Sequence, residues 1–322
     1  MSELTIIKAP IKDEILKFDN YFKASIKSKI QLLDIITNFI IRKKRKQLRS
    51  MLVFLSAKLS GGITESTYIA ASLIELLHTA TLIHDDVVDE AYEKRSFLSI
   101  NALWKSKIAV LMGDYLLAKG LLLAVNNKSH SLLEIVSDAV KEMSEGELLQ
   151  IQRSRTLNMT QEEYFEVIRK KTATLISACS AVGATSAAAD KVIVEKMKSF
   201  GLNFGMAIQM KDDLLDYKHK GFFGKPSSID LKEKKFTLPL IYSLENSSSV
   251  DKNKIICMIN QSKKSINLSF ILNFVHKKGG LVFTEKTMII FKNKALEDLS
   301  FLPESKTKEA LVKLVNYSIQ SN

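Results

Sequence analysis

Two stretches of this chain end an apolar helical run in aspartates spaced four residues apart. They are Asp85 and Asp89 in HTATLIHDDVVD (residues 78–89), and Asp212 and Asp216 in QMKDDLLD (residues 209–216). On a helix that spacing puts both carboxylates of a pair on one face. Like charges so placed repel by about a few tenths of a kcal/mol, and aspartate is a mediocre helix former. Packing gains nothing from this arrangement, whereas a hard divalent cation does. Mg²⁺ prefers one or two carboxylates, several waters and the oxygens of a substrate phosphate. His78, seven residues before Asp85, and Gln209, three before Asp212, join the two faces. One such cluster alone also reads as a solvated helix end. Two of them, each following an apolar helix, read as facing carboxylate pairs inside a bundle, able to hold Mg²⁺ around a diphosphate.

The elements that must carry these pairs are helices. Twelve Gly and four Pro in 322 residues are too few for the turns of a sandwich or barrel. Apolar groups recur at three- and four-residue intervals over residues 26–39, 68–88 and 132–149. Breaks fall at Gly61-Gly62, at Asn126-Asn127, and over residues 155–159 and 221–228, with another polar interruption at 247–253. No alternating strand and no solenoid period stands out. The breaks lack linker composition, so the expected fold is all-α: a single large helical bundle over residues 1–322 with a central cavity. The longest uncharged stretch, residues 172–189, is rich in Ser, Thr and Ala, and reads as a tightly packed internal helix rather than a membrane span. The first residues alternate charge with apolar groups and lack a cleavage-type segment, so a soluble, cytoplasmic protein without stable membrane insertion is expected. The two cysteines, Cys179 and Cys257, exclude a disulfide scaffold and fit a reducing compartment; each is expected to be buried.

The balance of 47 basic to 35 acidic residues gives a net charge of +12 and a pI near 9.4. Nucleic acid, polyanionic substrates and a Lys-rich proteome all fit that number. The lysines are spread along the chain without an aromatic-basic module, and carboxylate pairs do not suit a nucleic-acid surface, so no nucleic-acid partner is expected. Residues 43–49 (KKRKQLR) form a basic run at a helix start, which by itself reads as a solvated face.

The two aspartate motifs stand in longer contexts, DDVVDEAYEKRSFLSINALW and QMKDDLLDYKHKGFFGKPSSIDLKEKKFTLPLIY, with GELLQ (146–150) and KT (171–172) between them. On these residues the chain resembles the trans-isoprenyl diphosphate synthases (the polyprenyl synthetase family), in particular long-chain members such as octaprenyl diphosphate synthases. The resemblance runs from the region of Phe18 to Gly279-Gly280. There are departures. The family's GGKRLRP reads RKQLRS over residues 45–50, where Lys46 and Arg49 keep their charges, Gln47 replaces an Arg and Ser50 stands at the Pro. Its Arg-Arg-Gly reads Lys94-Arg95-Ser96, and Lys234 sits where Gly is usual.

The resemblance implies an all-α bundle of the isoprenoid synthase type and a Mg²⁺-dependent prenyltransferase. Such an enzyme joins isopentenyl diphosphate to an allylic diphosphate, releases inorganic diphosphate and lengthens an all-trans chain by one isoprene unit per cycle. Departure of the leaving group generates an allylic cation, and about three Mg²⁺ would stabilise the diphosphate charge that develops. By the resemblance Asp85, Asp89 and Asp212 hold the metal, with Asp86, Asp213 and Asp216 positioning metal-bound water. Lys171, Lys225 and Lys235 match lysines on the allylic diphosphate, with Thr172 and Gln209 nearby and Gln209 also facing the cation. Lys94 stands at an Arg that faces the same diphosphate; it keeps the point charge and loses the bidentate fork. Lys46, Arg49, His78 and Arg95 match the residues that hold the diphosphate of isopentenyl diphosphate. Released diphosphate takes the final proton, and His84 reads as a packed or partly exposed histidine. Family members pair through helices, so a homodimer is expected.

Other classes fit less well. A cyclising terpene synthase mixes Asn, Ser or Thr with Glu in its second metal site, unlike DDLLD here, and a non-catalytic partner subunit would have lost aspartates. A short-chain farnesyl or geranylgeranyl diphosphate synthase is the nearest alternative. If the helix before Asp85 lines the tunnel for the growing chain, Thr81, His78 with Leu77, and Ile74 share one stripe, and Ala80 flanks it. Short-chain members place a bulky aromatic at one of the two nearest positions; here these are the small Ala80 and Thr81. Ile74 lies about 16 Å deeper at 1.5 Å per residue, leaving room for a long-chain product such as a respiratory quinone side chain.

Overall fold

Long amphipathic and apolar runs with few breakers leave the described residues helical almost throughout. The computed structural model describes residues 3–43, 48–88, 93–94, 97–98, 100–218, 231, 234–260 and 267–320. In order come α1 (Glu3–Lys8), α2 (Lys12–Ile26), α3 (Gln31–Lys43), α4 (Leu48–Ser60), α5 (Glu65–Val88) and α6 (Ile100–Asn126). Then follow α7 (His130–Thr156), α8 (Gln161–Ile168), a π-helical turn (Arg169–Ala173), α9 (Thr174–Ser186) and α10 (Lys191–Lys218). Helices over Leu238–Glu245, Ser249–Asn260, Leu268–Lys277, Gly280–Ser300 and Lys306–Ile319 complete the order. Among the described residues the one strand pairing is a two-residue antiparallel ladder, Glu93–Lys94 with Phe97–Leu98. The all-α expectation holds.

The residues cluster as two compact units. One comprises Met1–Val140, Ala178–Lys198 and Leu302–Lys313; the other comprises Lys141–Ser177, Ser199–Phe301 and Leu314–Asn322. In the first, α4 is buried on every side over residues 50–57, the signature of a core helix. Helix α5 packs along α4 and α6. Its Leu73, Ile74, Leu76, Leu77 and Ala80 are buried, and each large aliphatic side chain so placed contributes about 1.5–3 kcal/mol. Helix α6 is less covered, with Val110, Leu111, Leu121, Leu122 and Val125 exposed. Among the described residues Glu65–Val88 and Ser106–Asn126 are long and apolar enough to cross a membrane; 72% of an apolar 18-residue stretch of the first is buried within the protein, against 33% in the second. In the second unit, helix Leu238–Glu245 packs on Gly280–Ser300. A Cβ on Gly280 would lie 2.1 Å from the Pro239 carbonyl oxygen, so glycine there permits the close approach.

Three expectations need correction. The periodic run over 26–39 is interrupted: Lys27 is extended (ψ 138°), and the Ser28 hydroxyl accepts from Ile30 N at 3.1 Å before α3 begins. The polar interruption at 247–253 is shorter than expected, with only residues 246–248 outside the helices. Ser248 Oγ accepts from Asp251 N at 3.1 Å, which caps helix Ser249–Asn260. Cys179 is buried as expected, but Cys257 is exposed, because Ile255 and Ile259 form the inward face of its helix.

Candidate active site

Helix α10 carries the second aspartate motif, and its three aspartates differ in setting. Asp213 is 3% exposed. It accepts from Tyr164 Oη on Oδ2 at 2.6 Å and from Gln209 Nε2 on Oδ1 at 2.7 Å. Asp212 is exposed and Asp216 half-buried, so an i, i+4 carboxylate pair lies toward solvent while the residue between is tied inward. Among the described residues no three His, Cys, Asp or Glu side chains gather into a cation site. Oxygen donors one turn apart suit Mg²⁺, which completes its shell with water and phosphate.

Gln209 links this motif to the π-helical turn. The Gln209 amide nitrogen faces the Asp213 carboxyl, so Oε1 of the same amide faces away. Oε1 accepts from Thr172 Oγ1 at 2.7 Å. The π-turn arises where α8 runs on without a break and α7 crosses close beside it. A Cβ on Gly146 would lie 2.7 Å from Lys171 N, so the glycine of GELLQ lets the backbones meet. Lys170 clamps the turn by donating to Glu145 Oε2 at 2.5 Å and Glu142 Oε1 at 3.3 Å. That hydrogen bond holds the Glu145 carboxyl below the usual range and raises Lys170 above its own. Lys171 Nζ donates to Gln150 Oε1 at 2.6 Å and pairs with Glu147.

Gln150, Tyr164, Lys171, Thr172, Gln209 and Lys235 are among the residues that line one cavity of about 210 Å³. Thr237, also on its wall, has its hydroxyl 3.0 Å from Tyr217 Oη. Lys234, where glycine is usual, has φ of 58°, the left-handed region that favours glycine, and its Nζ donates to Asn260 Oδ1 at 3.0 Å. Four of the residues matched to the allylic diphosphate, Lys171, Thr172, Gln209 and Lys235, are therefore together.

The residues around the first motif belong to the other unit. Asp85 and Asp86 are half-buried near the end of α5. His84 Nε2 lies 3.3 Å from both the Val110 carbonyl oxygen and Asp114 Oδ1 on α6. Arg49 Nη2 sits 3.4 Å from Glu75 Oε2, while Ser50 Oγ donates to Glu75 Oε1 at 2.8 Å. Glu75 is 1% exposed, a buried carboxylate held by both neighbours. His78 is half-buried; Thr81 Oγ1 donates to its carbonyl at 2.9 Å. Ile74, Leu77 and Ala80 are buried. Lys46, Asp89, Arg95 and Lys225 lie outside the described residues, as does the side chain of Lys94. Sequence reasoning passed over Tyr164, Glu75 and Glu147. Glu75 carried a signal, as a lone charge inside the apolar run 68–83.

Comparison with known proteins places these features. The polyprenyl synthetase family model matches residues 30–272. The chain is 33% identical over 315 residues to an all-trans-nonaprenyl-diphosphate synthase (geranyl-diphosphate specific) of Rhodobacter capsulatus, covering 97% of this chain and 96% of that one. It is 32% identical over 296 residues to the octaprenyl diphosphate synthase of Escherichia coli (strain K12), covering 92% of each. A crystal structure of a polyprenyl synthase from Caulobacter crescentus CB15, complexed with calcium and isoprenyl diphosphate, superposes with a TM-score of 0.87 at 30% identity, over 98% of this chain and 96% of that one. With the family model matching residues 30–272 and relatives of 32–33% identity covered almost end to end, the chain belongs to the polyprenyl synthetase family.

Proposed function

We propose that the protein condenses isopentenyl diphosphate with an allylic diphosphate to build a long all-trans polyprenyl diphosphate. The observation that carries this is the convergence of Lys171, Thr172, Gln209 and Lys235 on one cavity, beside the helix that bears Asp212. Two ammonium groups and a hydroxyl suit a diphosphate. Gln209, its amide fixed by Asp213, offers a neutral carbonyl oxygen that tolerates a nearby cation without capturing it. Asp85, Asp89 and Asp212 would hold Mg²⁺, with Asp86 and Asp216 in support. Bound there, the metal would supply Lewis-acid neutralisation of the departing diphosphate. Arg49, oriented by buried Glu75, would bind the diphosphate of isopentenyl diphosphate together with Lys46, His78 and Arg95. The small Ala80 and Thr81 support growth past farnesyl length, and the long-chain products named for the similar relatives support the same reading. Incubation with Mg²⁺, isopentenyl diphosphate and farnesyl diphosphate, followed by chromatographic sizing, tests it. Products longer than geranylgeranyl diphosphate are expected, and their absence would refute the long-chain assignment.

We further infer a cytoplasmic homodimer. The apolar face of α6, with Val110, Leu111, Leu121, Leu122 and Val125 exposed, is of the kind a second copy covers. Sedimentation at micromolar concentration should give about twice the 36.2 kDa chain mass. A stable single-chain species would refute the pairing.

A further inference from the structure

The ammonium of Lys171, assigned above to the allylic diphosphate, is already engaged from helix α7. Gln150 Oε1 accepts from it at 2.6 Å, and Glu147 Oε2 pairs with it. Glu147 and Gln150 are three residues apart, hence neighbours on one helical face. The Gly146 contact fixes the Lys171 backbone against that face, so the reach of the side chain is set. Lys171 and Glu147 are 32% and 27% exposed at the side chain, open to an incoming anion. An ammonium has three donors and one charge; a diphosphate that needs that charge must compete with a carboxylate that holds it.

Building on the prenyltransferase reading, we propose that Glu147 is an internal stand-in for the substrate's diphosphate. It neutralises Lys171 in the resting site and is exchanged for the diphosphate when substrate enters. Neutral Gln150 stays on Lys171 in both states and keeps it aimed into the cavity. Glu147, about a quarter exposed, turns to water at little cost. The exchange sets affinity and favours a multiply charged headgroup, because a weaker anion displaces the carboxylate less well. Glu147 is thus a residue that tunes diphosphate binding without touching the reacting carbons.

Calorimetric titration of inorganic diphosphate with Mg²⁺ into the full chain tests this. Glu147→Gln keeps the shape and the acceptor but removes the charge, and should tighten binding about three- to fivefold. The KM for farnesyl diphosphate should fall by the same factor, with kcat changed less than about twofold. Glu147→Ala, a second variant, should move both in the same direction. In a Lys171→Gln background the gain should vanish. Unchanged or weaker binding in both Glu147 variants overturns the inference, as does an equal gain without Lys171, which would reduce the effect to long-range repulsion. A wild-type chain that neither binds diphosphate nor forms product sinks the functional reading and this inference with it; the other failures sink this inference alone.

Discussion

Tyr164 Oη donates to Asp213 Oδ2 at 2.6 Å, with both residues almost fully buried. The bond joins α8 to α10 and, through Gln209, reaches Thr172 in the π-turn. Removing it strips a donor from a buried carboxylate. Tyr164→Phe should cost about 1–3 kcal/mol in urea unfolding and lower kcat, since the carboxylate that holds the Gln209 amide loses its anchor on α8. A variant as stable and as fast as wild type would show that Asp213 finds a replacement partner.

Asp212 and Asp213 are adjacent in sequence and opposite in setting, so their substitutions should separate. Asp212→Ala, like Asp85→Ala, should reduce condensation by roughly a thousandfold or more with stability unchanged within about 0.5 kcal/mol. Asp213→Ala should lose stability as well, because Tyr164 Oη and Gln209 Nε2 lose the buried acceptor they share. Near-normal turnover of Asp212→Ala or Asp85→Ala at saturating Mg²⁺ would refute the metal assignment.

Gly146→Ala tests the close approach of α7 to the π-turn. Its Cβ would meet Lys171 N, a backbone atom that cannot rotate aside. The expected cost is about 1–3 kcal/mol, with a raised KM for the allylic substrate as Lys171 is displaced. Denaturant midpoints and steady-state kinetics read both; an unperturbed protein would mean that the turn yields.

The two thiols should behave differently toward alkylation. Burial pushes Cys179 up to about 12, while Cys257 is exposed. At pH 8 iodoacetamide should add once to the native protein, at Cys257, and twice in denaturant, as intact mass will show. The folded chain holds the Cys179 proton more tightly than the unfolded chain, whose ordinary value is 9.0, so this contribution is complete below about pH 9 and fades as pH rises toward 12. Rapid double modification of native protein would contradict the burial.

Ala80 is buried at 2% exposure on the face of α5 that precedes Asp85. Ala80→Phe should shorten the product toward farnesyl length while sparing the first condensation. An unchanged product would place the floor elsewhere. A loss of about 1–3 kcal/mol without shortening would mean that Ala80 packs against a neighbouring helix.

Whatever follows from spacing along one helix was legible in the residues alone. Asp212 and Asp216 lie one turn apart because they are four residues apart, whatever packs beside them. The apolar period likewise determined the helices and the buried stripe from Leu73 to Ala80. Partner choice was not legible, since it depends on which helices meet and at what height. Nothing local says that Asp213 turns inward to Tyr164, 49 residues away, while Asp212 stays exposed. The pairing of Glu75 with Ser50 and Arg49 and the hold of Glu147 on Lys171 likewise arise only when separate helices pack. Cys257 and Cys179 are the same residue type in helical segments, yet one faces water, because burial belongs to the neighbours and not to the residue.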